Sequence, residues 1–288
     1  MSEATEHHSE QINGNSSDTM NIIFWGTRGN ISAPRSDQIV FGTHTTCIEI
    51  KNSCESVLFD AGFGIGRYSD SLPDKSGNYH LFFTHFHWDH VQGIGYFIPI
   101  FLPHTHLHMY SPWSVEKLQR QLNYYFDYSF GPFRSIDDEN LKSQRYFHSL
   151  GTGEVISVNG FKISHFSNNH EGNCYGYSVT RHGKKIAILT DHDAKHLDSY
   201  KTWGNDYDVV IHDAQFTDTE YRSPHVLGHS TFTQAIENSL KLGAKTIFLT
   251  HHEPLRTDTD MLAIEESLRT QYPDCRPIIA REQVVYTV

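Results

Sequence analysis

Cysteine is scarce in this 288-residue chain, and what there is does not pair. Cys47, Cys54, Cys174 and Cys275 include no Cys-x-x-Cys spacing, which speaks against a zinc knuckle or a dithiol redox motif and leaves them as small buried apolar groups or inert thiols. Long apolar runs are also missing. The longest, Ile94 to Leu102, is broken by Pro99 and is too short to span a bilayer. Residues 1–20 hold no apolar stretch of the kind a secretory leader needs, so the expectation is a soluble, cytoplasmic protein with no membrane partner. Positive charge is in deficit: 23 Lys and Arg stand against 34 Asp and Glu, a formal net charge of -11. Glu3, Glu6, Glu10 and Asp18 supply part of it. A long nucleic acid needs clustered Lys and Arg to neutralise phosphates, and none is expected as the main ligand. A small anion held through metal is compatible with this balance. Nothing reads as an interdomain linker. The expectation is a polar, disordered tail over residues 1–19 and one domain with a large core over residues 20–288.

Histidine is what the chain has in excess, at 21 residues. His7 and His8 fit a solvated tail. Several others stand directly after apolar β-type runs, where loops carry function. Runs rich in Val, Ile, Phe and Tyr predict strands over 21–25, 46–50, 56–59, 79–83, 106–110, 154–158, 161–165, 175–180, 185–190, 208–211, 246–250 and 284–287. Helical spacing predicts helices over 65–71, 92–97, 114–124, 138–144, 231–241 and 260–270, with Ser230 as an N-cap before Phe232, Ala235, Ile236 and Leu240. Both halves are strand-rich, which suits a pseudo-symmetric α/β sandwich of two mixed sheets with helices outside. From about residue 96 to 150 the texture turns aromatic, with Phe97, Phe101, Tyr110, Trp113, Tyr124, Tyr125, Phe126, Tyr128, Phe130 and Phe133. Two readings stand: a helical insert packed on the sandwich, or a wall over an active site and a dimer surface.

The predicted strand 79–83 runs into Thr84-His85-Phe86-His87-Trp88-Asp89-His90. His85 and His87 are two apart in extended chain, so both imidazoles point the same way and can reach one ion. Asp89 and His90 follow as the chain turns into a helix, where they can serve a second ion. Three histidines and an aspartate within six positions crowd and desolvate one another unless a cation organises them.

The segment THFHWDHVQGIGYFIPIF, from Thr84 to Phe101, resembles the second motif of the metallo-β-lactamase superfamily. The resemblance implies a four-layer αββα sandwich of two mixed β-sheets. It also implies further ligands: His170, before the Gly/Tyr-rich Tyr175-Gly176-Tyr177, with His165 as competitor; Asp191, with Asp193 as the alternative; and His251, with His252 as the alternate. One ion would then be held by His85, His87 and His170, the other by Asp89, His90 and His251, with Asp191 and a hydroxide bridging. Imidazole and carboxylate suit two divalent ions, zinc first, with manganese or iron compatible. A water between two cations loses a proton near neutral pH. Asp60, in Phe59-Asp60-Ala61-Gly62, either braces the metal loop or merely caps a turn.

His212-Asp213-Ala214-Gln215 and His229-Ser230-Thr231 resemble the loops of ribonuclease Z-like members, as Trp25-Gly26-Thr27-Arg28-Gly29-Asn30-Ile31-Ser32 and Thr45-Thr46-Cys47 resemble a ribonuclease Z/cyclic-nucleotide phosphodiesterase branch. The resemblance gives the catalytic roles to His229, as proton donor to the leaving oxygen, to Asp213, which orients it, and to Asp89 beside its ligand role. Asp213 is one methylene shorter than the usual Glu. Arg28 reads equally as a phosphate contact or as a brace. In tRNA-processing members a long arm separates the third-motif histidine from the bridging aspartate. Here His170 and Asp191 are about twenty positions apart, with a tight hairpin predicted over 181–185. A small phosphodiester is therefore the expected substrate, a cyclic nucleotide first, since aromatics could stack its base. A ribonuclease Z-like ribonuclease and a thioester or lactone hydrolase are the alternatives. Relatives of this kind imply a homodimer.

Overall fold

The computed structural model describes residues 19–126, 135–194, 203–222 and 228–288. The tail expected over residues 1–19 falls almost wholly outside them, as do Tyr128, Phe130 and Phe133. In chain order the elements are β1 (Asn21–Gly26), β2 (Cys47–Lys51), β3 (Ser56–Phe59), α1 (Gly64–Ser71), β4 (Asn78–Phe82), α2 (Trp88–Val91), β5 (His106–Ser111), α3 (Val115–Phe126), β6 (Gln144–Ser149) and β7 (Ile156–Val158). There follow β8 (Phe161–Ser167), β9 (Tyr175–Arg181), β10 (Lys184–Leu189), β11 (Val209–Asp213), α4 (Phe232–Lys241), β12 (Thr246–Thr250), α5 (Asp258–Gln271), β13 (Ile278–Ile279) and β14 (Val285–Thr287).

The strands form two seven-stranded sheets, in the orders β14-β1-β2-β3-β4-β5-β6 and β13-β12-β11-β10-β9-β8-β7. Each sheet is mixed: β3 to β6 and β10 to β13 run parallel, and the remaining pairs are antiparallel. The two sheets mirror each other in this, which bears out the pseudo-symmetric sandwich. Period-2 alternation builds the layers. Ile22, Phe24, Val57, Phe59, Ile186, Ile188, Val209, Ile211 and Phe248 pack between the sheets. Their neighbours point outward: Ile23, Trp25 and Leu58 toward Ile65 and Tyr68 of α1, and Ile247 and Leu249 toward Phe232, Ile236 and Met261 of α4 and α5. The result is the expected αββα order. No helix of the described residues is long and apolar enough to cross a membrane.

Three local expectations are corrected. The helix predicted over 138–144 is absent. Asp138 Oδ1 instead accepts from Asn140 N at 2.9 Å in a turn, and the chain enters β6, which pairs with β5 in full register. As an edge strand, β6 carries polar residues that hide its β character. The helix predicted over 92–97 is two 3₁₀ turns, Gln92–Tyr96 and Ile98–Phe101. Thr231, not Ser230, caps α4, through a reciprocal box in which Thr231 Oγ1 accepts from Gln234 N at 3.1 Å and Gln234 Oε1 from Thr231 N at 2.9 Å. Ser230 Oγ turns away to donate to His192 O.

The inner face of β4, β5 and β6 continues into a ring stack. His80 lies on His108 at 4.8 Å, and His108 on His148 at 5.3 Å. His108 Nδ1 and His148 Nε2 are 3.0 Å apart.

Candidate metal centre

Most of the side chains of interest leave the carboxyl ends of parallel strands, the edge where open α/β sheets bind ligands, while His170 comes from the β8–β9 connection and His229 from the loop before α4. Asp60 follows β3, the His85–His90 loop follows β4, Asp191 follows β10, Asp213 ends β11 and His251 follows β12. Asp60, Asp191 and His251 have φ of 62°, 51° and 59°. Non-glycine residues rarely adopt this left-handed conformation, and it costs free energy. Here it swings each side chain off its strand axis into one buried pocket.

His85, His87, His170 and Asp191 form one group of converging ligand atoms, and Asp89, His90, Asp191 and His251 form a second. Asp191 belongs to both and divides its oxygens between them. Oδ2 lies 3.4 Å from His85 Nε2 and 3.5 Å from His170 Nε2. Oδ1 lies 3.0 Å from His90 Nε2 and 3.1 Å from His251 Nε2. Asp89 Oδ2 closes the second group, 3.1 Å from His251 Nε2 and 3.3 Å from His90 Nε2. All seven residues named from sequence thus meet at one place.

The donor set fits a pair of cations. His85 Nε2, His90 Nε2 and Asp191 Oδ1 are buried without a hydrogen-bond partner although they crowd one another. Orphaned buried polar atoms of this kind are rare, and their donor chemistry fits metal ligation. The protonation states of His85, Asp191 and Asp89 agree with ligand duty. Burial, together with the nearby His90, holds the His85 imidazole well below its usual value. Burial works against the Asp191 carboxylate, yet His251, His90 and His85 hold it well below the usual range. Asp89 is kept ionised in the same way by His90 and His251. His90 runs the other way: burial opposes its charge, but Asp191, Asp89 and Asp60 lift it well above the imidazole norm.

Outside the ligands stands a ring of supports. Asp60 accepts from Thr84 N and Thr84 Oγ1, each at 2.8 Å, and meets His90 Nδ1 at 2.7 Å. It braces the metal loop and is more than a turn cap. His170 Nδ1 bonds Gly228 O at 2.6 Å, which turns Nε2 to the centre. Asn30 N donates to Asp89 Oδ2 at 2.8 Å. Gly228 and Gly29 are close-packed: a Cβ on either would run into the ring of His170 or His251. Thr84, Asn30 and Gly228 were not singled out from sequence. Thr84 and Asn30 lie within the motif segments with no role assigned to them there, and Gly228 stands next to His229.

The rival residues are occupied elsewhere. His165 Nε2 bonds Gly151 O at 3.0 Å, Asp193 accepts from Tyr221 OH at 2.7 Å, and His252 Nε2 bonds Ala280 O at 3.0 Å. Arg28 is 1% exposed. It donates to the carbonyls of Gly42, Glu253 and Arg256 at 2.7, 3.0 and 2.9 Å, so it braces loops and contacts no substrate.

His229 stacks on His251, with ring centroids 4.8 Å apart and planes 17° from parallel, and meets His170 at 5.0 Å. Its Nδ1 donates to Asp213 Oδ2 across 2.7 Å. Asp213 is fully buried and is fixed by His192 N at 3.1 Å and Gln215 N at 3.1 Å. The shorter aspartate therefore reaches the imidazole. Burial pushes the His229 imidazolium down, but Asp213, with Asp191 and Asp89 beyond it, raises it to about 9.

Known proteins share this frame. A ribonuclease Z of Picrophilus torridus is 23% identical over 86% of this chain and 90% of its own length. Among solved structures, the metallo-beta-lactamase fold protein YhfI from Bacillus subtilis superposes with a TM-score of 0.70 at 16% identity, over 94% of this chain and all of its own. A diphosphatase from the PhnP family follows at 0.67 and 20% identity, over 94% and 97%. Residues 55–252 match the model of the beta-lactamase superfamily domain, and since that span covers most of the sandwich and all seven converging side chains, the chain belongs to that family.

Proposed function

We propose that the chain is a metal-dependent phosphodiesterase that hydrolyses a small phosphodiester, with a cyclic nucleotide as the leading substrate. The observation that carries the reading is Asp191, one carboxylate shared between two ligand sets, with His229 held by Asp213 and stacked on His251 beside them. His85, His87 and His170 would hold one divalent ion, Asp89, His90 and His251 the other, and Asp191 both; zinc is the metal proposed, with manganese or iron compatible. When bound, such a pair supplies Lewis acidity at a phosphoryl oxygen and a water acidified toward neutral pH.

The chain's own residues do the rest. Asp89 and Asp191 are themselves held ionised by the neighbouring imidazoles. Asp213 accepts from His229 Nδ1, which leaves the proton on His229 Nε2 available to the departing alkoxide. An alkoxide is a poor leaving group and needs that acid. We further propose that the protein acts in the cytoplasm as a homodimer.

A second reading is a ribonuclease, favoured by the name of the Picrophilus relative. Against it, β9 and β10 are joined by only His182 and Gly183, with φ of 48° and 77°, a tight hairpin with no arm. The net charge of -11 also opposes a long RNA. The test is metal-loaded protein against bis-p-nitrophenyl phosphate, then a panel of cyclic mono- and dinucleotides, a precursor tRNA, and a lactone and thioester. Turnover of the small diesters, lost in His85→Ala, is the expected result. Inertness to every diester, or turnover of the lactone or thioester alone, rejects it.

A further inference from the structure

Beside the metal ligands lies a cavity of about 1020 Å³. His87 and Asp89 form part of its wall, so it is continuous with the metal centre. Most of the remaining wall is aromatic. Phe63 and Tyr96 sit with ring centroids 5.5 Å apart, and Trp88 meets Tyr125 edge-on at 5.8 Å. Tyr125 is pinned by its hydroxyl, which donates to Phe86 O at 2.8 Å. Trp88, Tyr96 and Tyr124 are exposed to 65%, 63% and 63%. Large apolar rings gathered on one exposed face mark a binding surface. Among the described residues no lysine or arginine lines the cavity, and the one acidic side chain there, Asp89, is among the converging ligands.

We propose that this cavity seats the nucleobase of the substrate, with Trp88, Tyr96 and Tyr124 as the residues that select for it. The proposal rests on the phosphodiesterase reading and names the part of the diester that reading leaves open. The charge pattern decides the occupant. A polyanionic strand needs a basic track along the wall, and the described residues of this wall supply none. An uncharged planar ring needs π-faces, which it has. Typical small-molecule cavities measure about 300–1,000 Å³, so there is room for a base and its sugar while the phosphate stays at His87 and Asp89. Stacking on one aromatic side chain changes affinity roughly 5- to 150-fold and tolerates any base.

The test uses the metal-loaded full chain, titrated by calorimetry with inorganic phosphate, ribose 5-phosphate and adenosine 5′-monophosphate, with tryptophan fluorescence followed in parallel. Adenosine 5′-monophosphate is expected to bind about tenfold or more tighter than ribose 5-phosphate and to quench Trp88. In Trp88→Ala and in the Tyr96→Ala/Tyr124→Ala pair that advantage should collapse while phosphate binding holds. Trp88→Phe should keep the affinity and lose the quench. Equal binding of the two sugar phosphates overturns the proposal, as does equal weakening of all three ligands in the variants. A blank phosphate arm removes the phosphodiesterase reading and this proposal with it. If the variants instead turn a dimer into a monomer by sedimentation, with the nucleotide's advantage intact, the rings belong to a second copy of the chain and the proposal falls.

Discussion

His229 Nδ1 lies 2.7 Å from Asp213 Oδ2 although 16 residues separate them, because the ends of β11 and the loop before α4 are drawn together at one sheet edge. A positioned acid contributes about 10²–10⁴-fold when the leaving group is basic. His229→Ala should therefore lose activity in that range on a nucleoside diester and much less on a p-nitrophenyl ester, whose leaving group needs no proton. Metal content should stay unchanged. Asp213→Asn should show the same leaving-group split with a smaller loss. Steady-state kinetics on paired esters reads it, and equal losses on both would remove the proton-donor role.

Asp60 should prove structural and metal-supporting at once. Asp60→Ala strands Thr84 N, Thr84 Oγ1 and His90 Nδ1 in a buried site. The expected cost is about 3 kcal/mol of stability and roughly 10- to 100-fold in metal affinity. Urea unfolding and competition against a chromophoric chelator measure the two separately. A variant with wild-type metal affinity would show that the bonds of Asp60 to Thr84 and His90 serve the fold alone.

Metal and fold should be linked. The folded chain presents a converged ligand set that the unfolded chain lacks, so stability should rise with metal by about 2.7 kcal/mol at a hundredfold excess over Kd. A chelator should lower Tm and abolish turnover together, and adding metal back should restore both. A Tm indifferent to chelator and metal would contradict the assignment of these residues as ligands.

The ring stack on β4 to β6 predicts an acid limb of stability. Burial, with His108 and His148 alongside, lowers the His80 pKa from 6.5 to about 4, and its Nδ1 lies 3.0 Å from Tyr110 OH. Between those values the unfolded chain binds the proton that the folded chain refuses. The contribution is therefore full above about pH 6.5 and is lost as pH falls toward 4. His80→Phe, measured in chelator so that metal release plays no part, should lose less stability than wild type across that window. Parallel pH profiles would rule the effect out.

Much of this was readable in advance, for physical reasons that differ by element. The inner strands read as continuous apolar runs, as Ile22-Ile23-Phe24-Trp25 shows, because both of their faces are buried. β6 was missed because its exposed edge carries Gln144, Arg145 and Tyr146. β13 is only Ile278 and Ile279, too short for any period. The residues His85 to His90 stand close in sequence and declare themselves. His170, Asp191 and His251 could be sought only through resemblance; the Tyr175-Gly176-Tyr177 run favours His170 over His165, but nothing local separates Asp191 from Asp193 or His251 from His252. Folding separates them: the strand-end turns at Asp191 and His251 aim one residue inward and send the next to a backbone carbonyl or loop. Supports such as Asn30 N and Gly228 O act through main-chain atoms, which side-chain identity does not encode.

The central claim is that Asp191 joins two metal positions. Anomalous diffraction from crystals of the metal-loaded protein, collected at the zinc, iron and manganese edges, tests it most directly. The account predicts two peaks about 3.5–4 Å apart, one against His85, His87 and His170 and one against Asp89, His90 and His251, with an oxygen of Asp191 on each. A single peak, or two peaks that Asp191 does not touch, would contradict it.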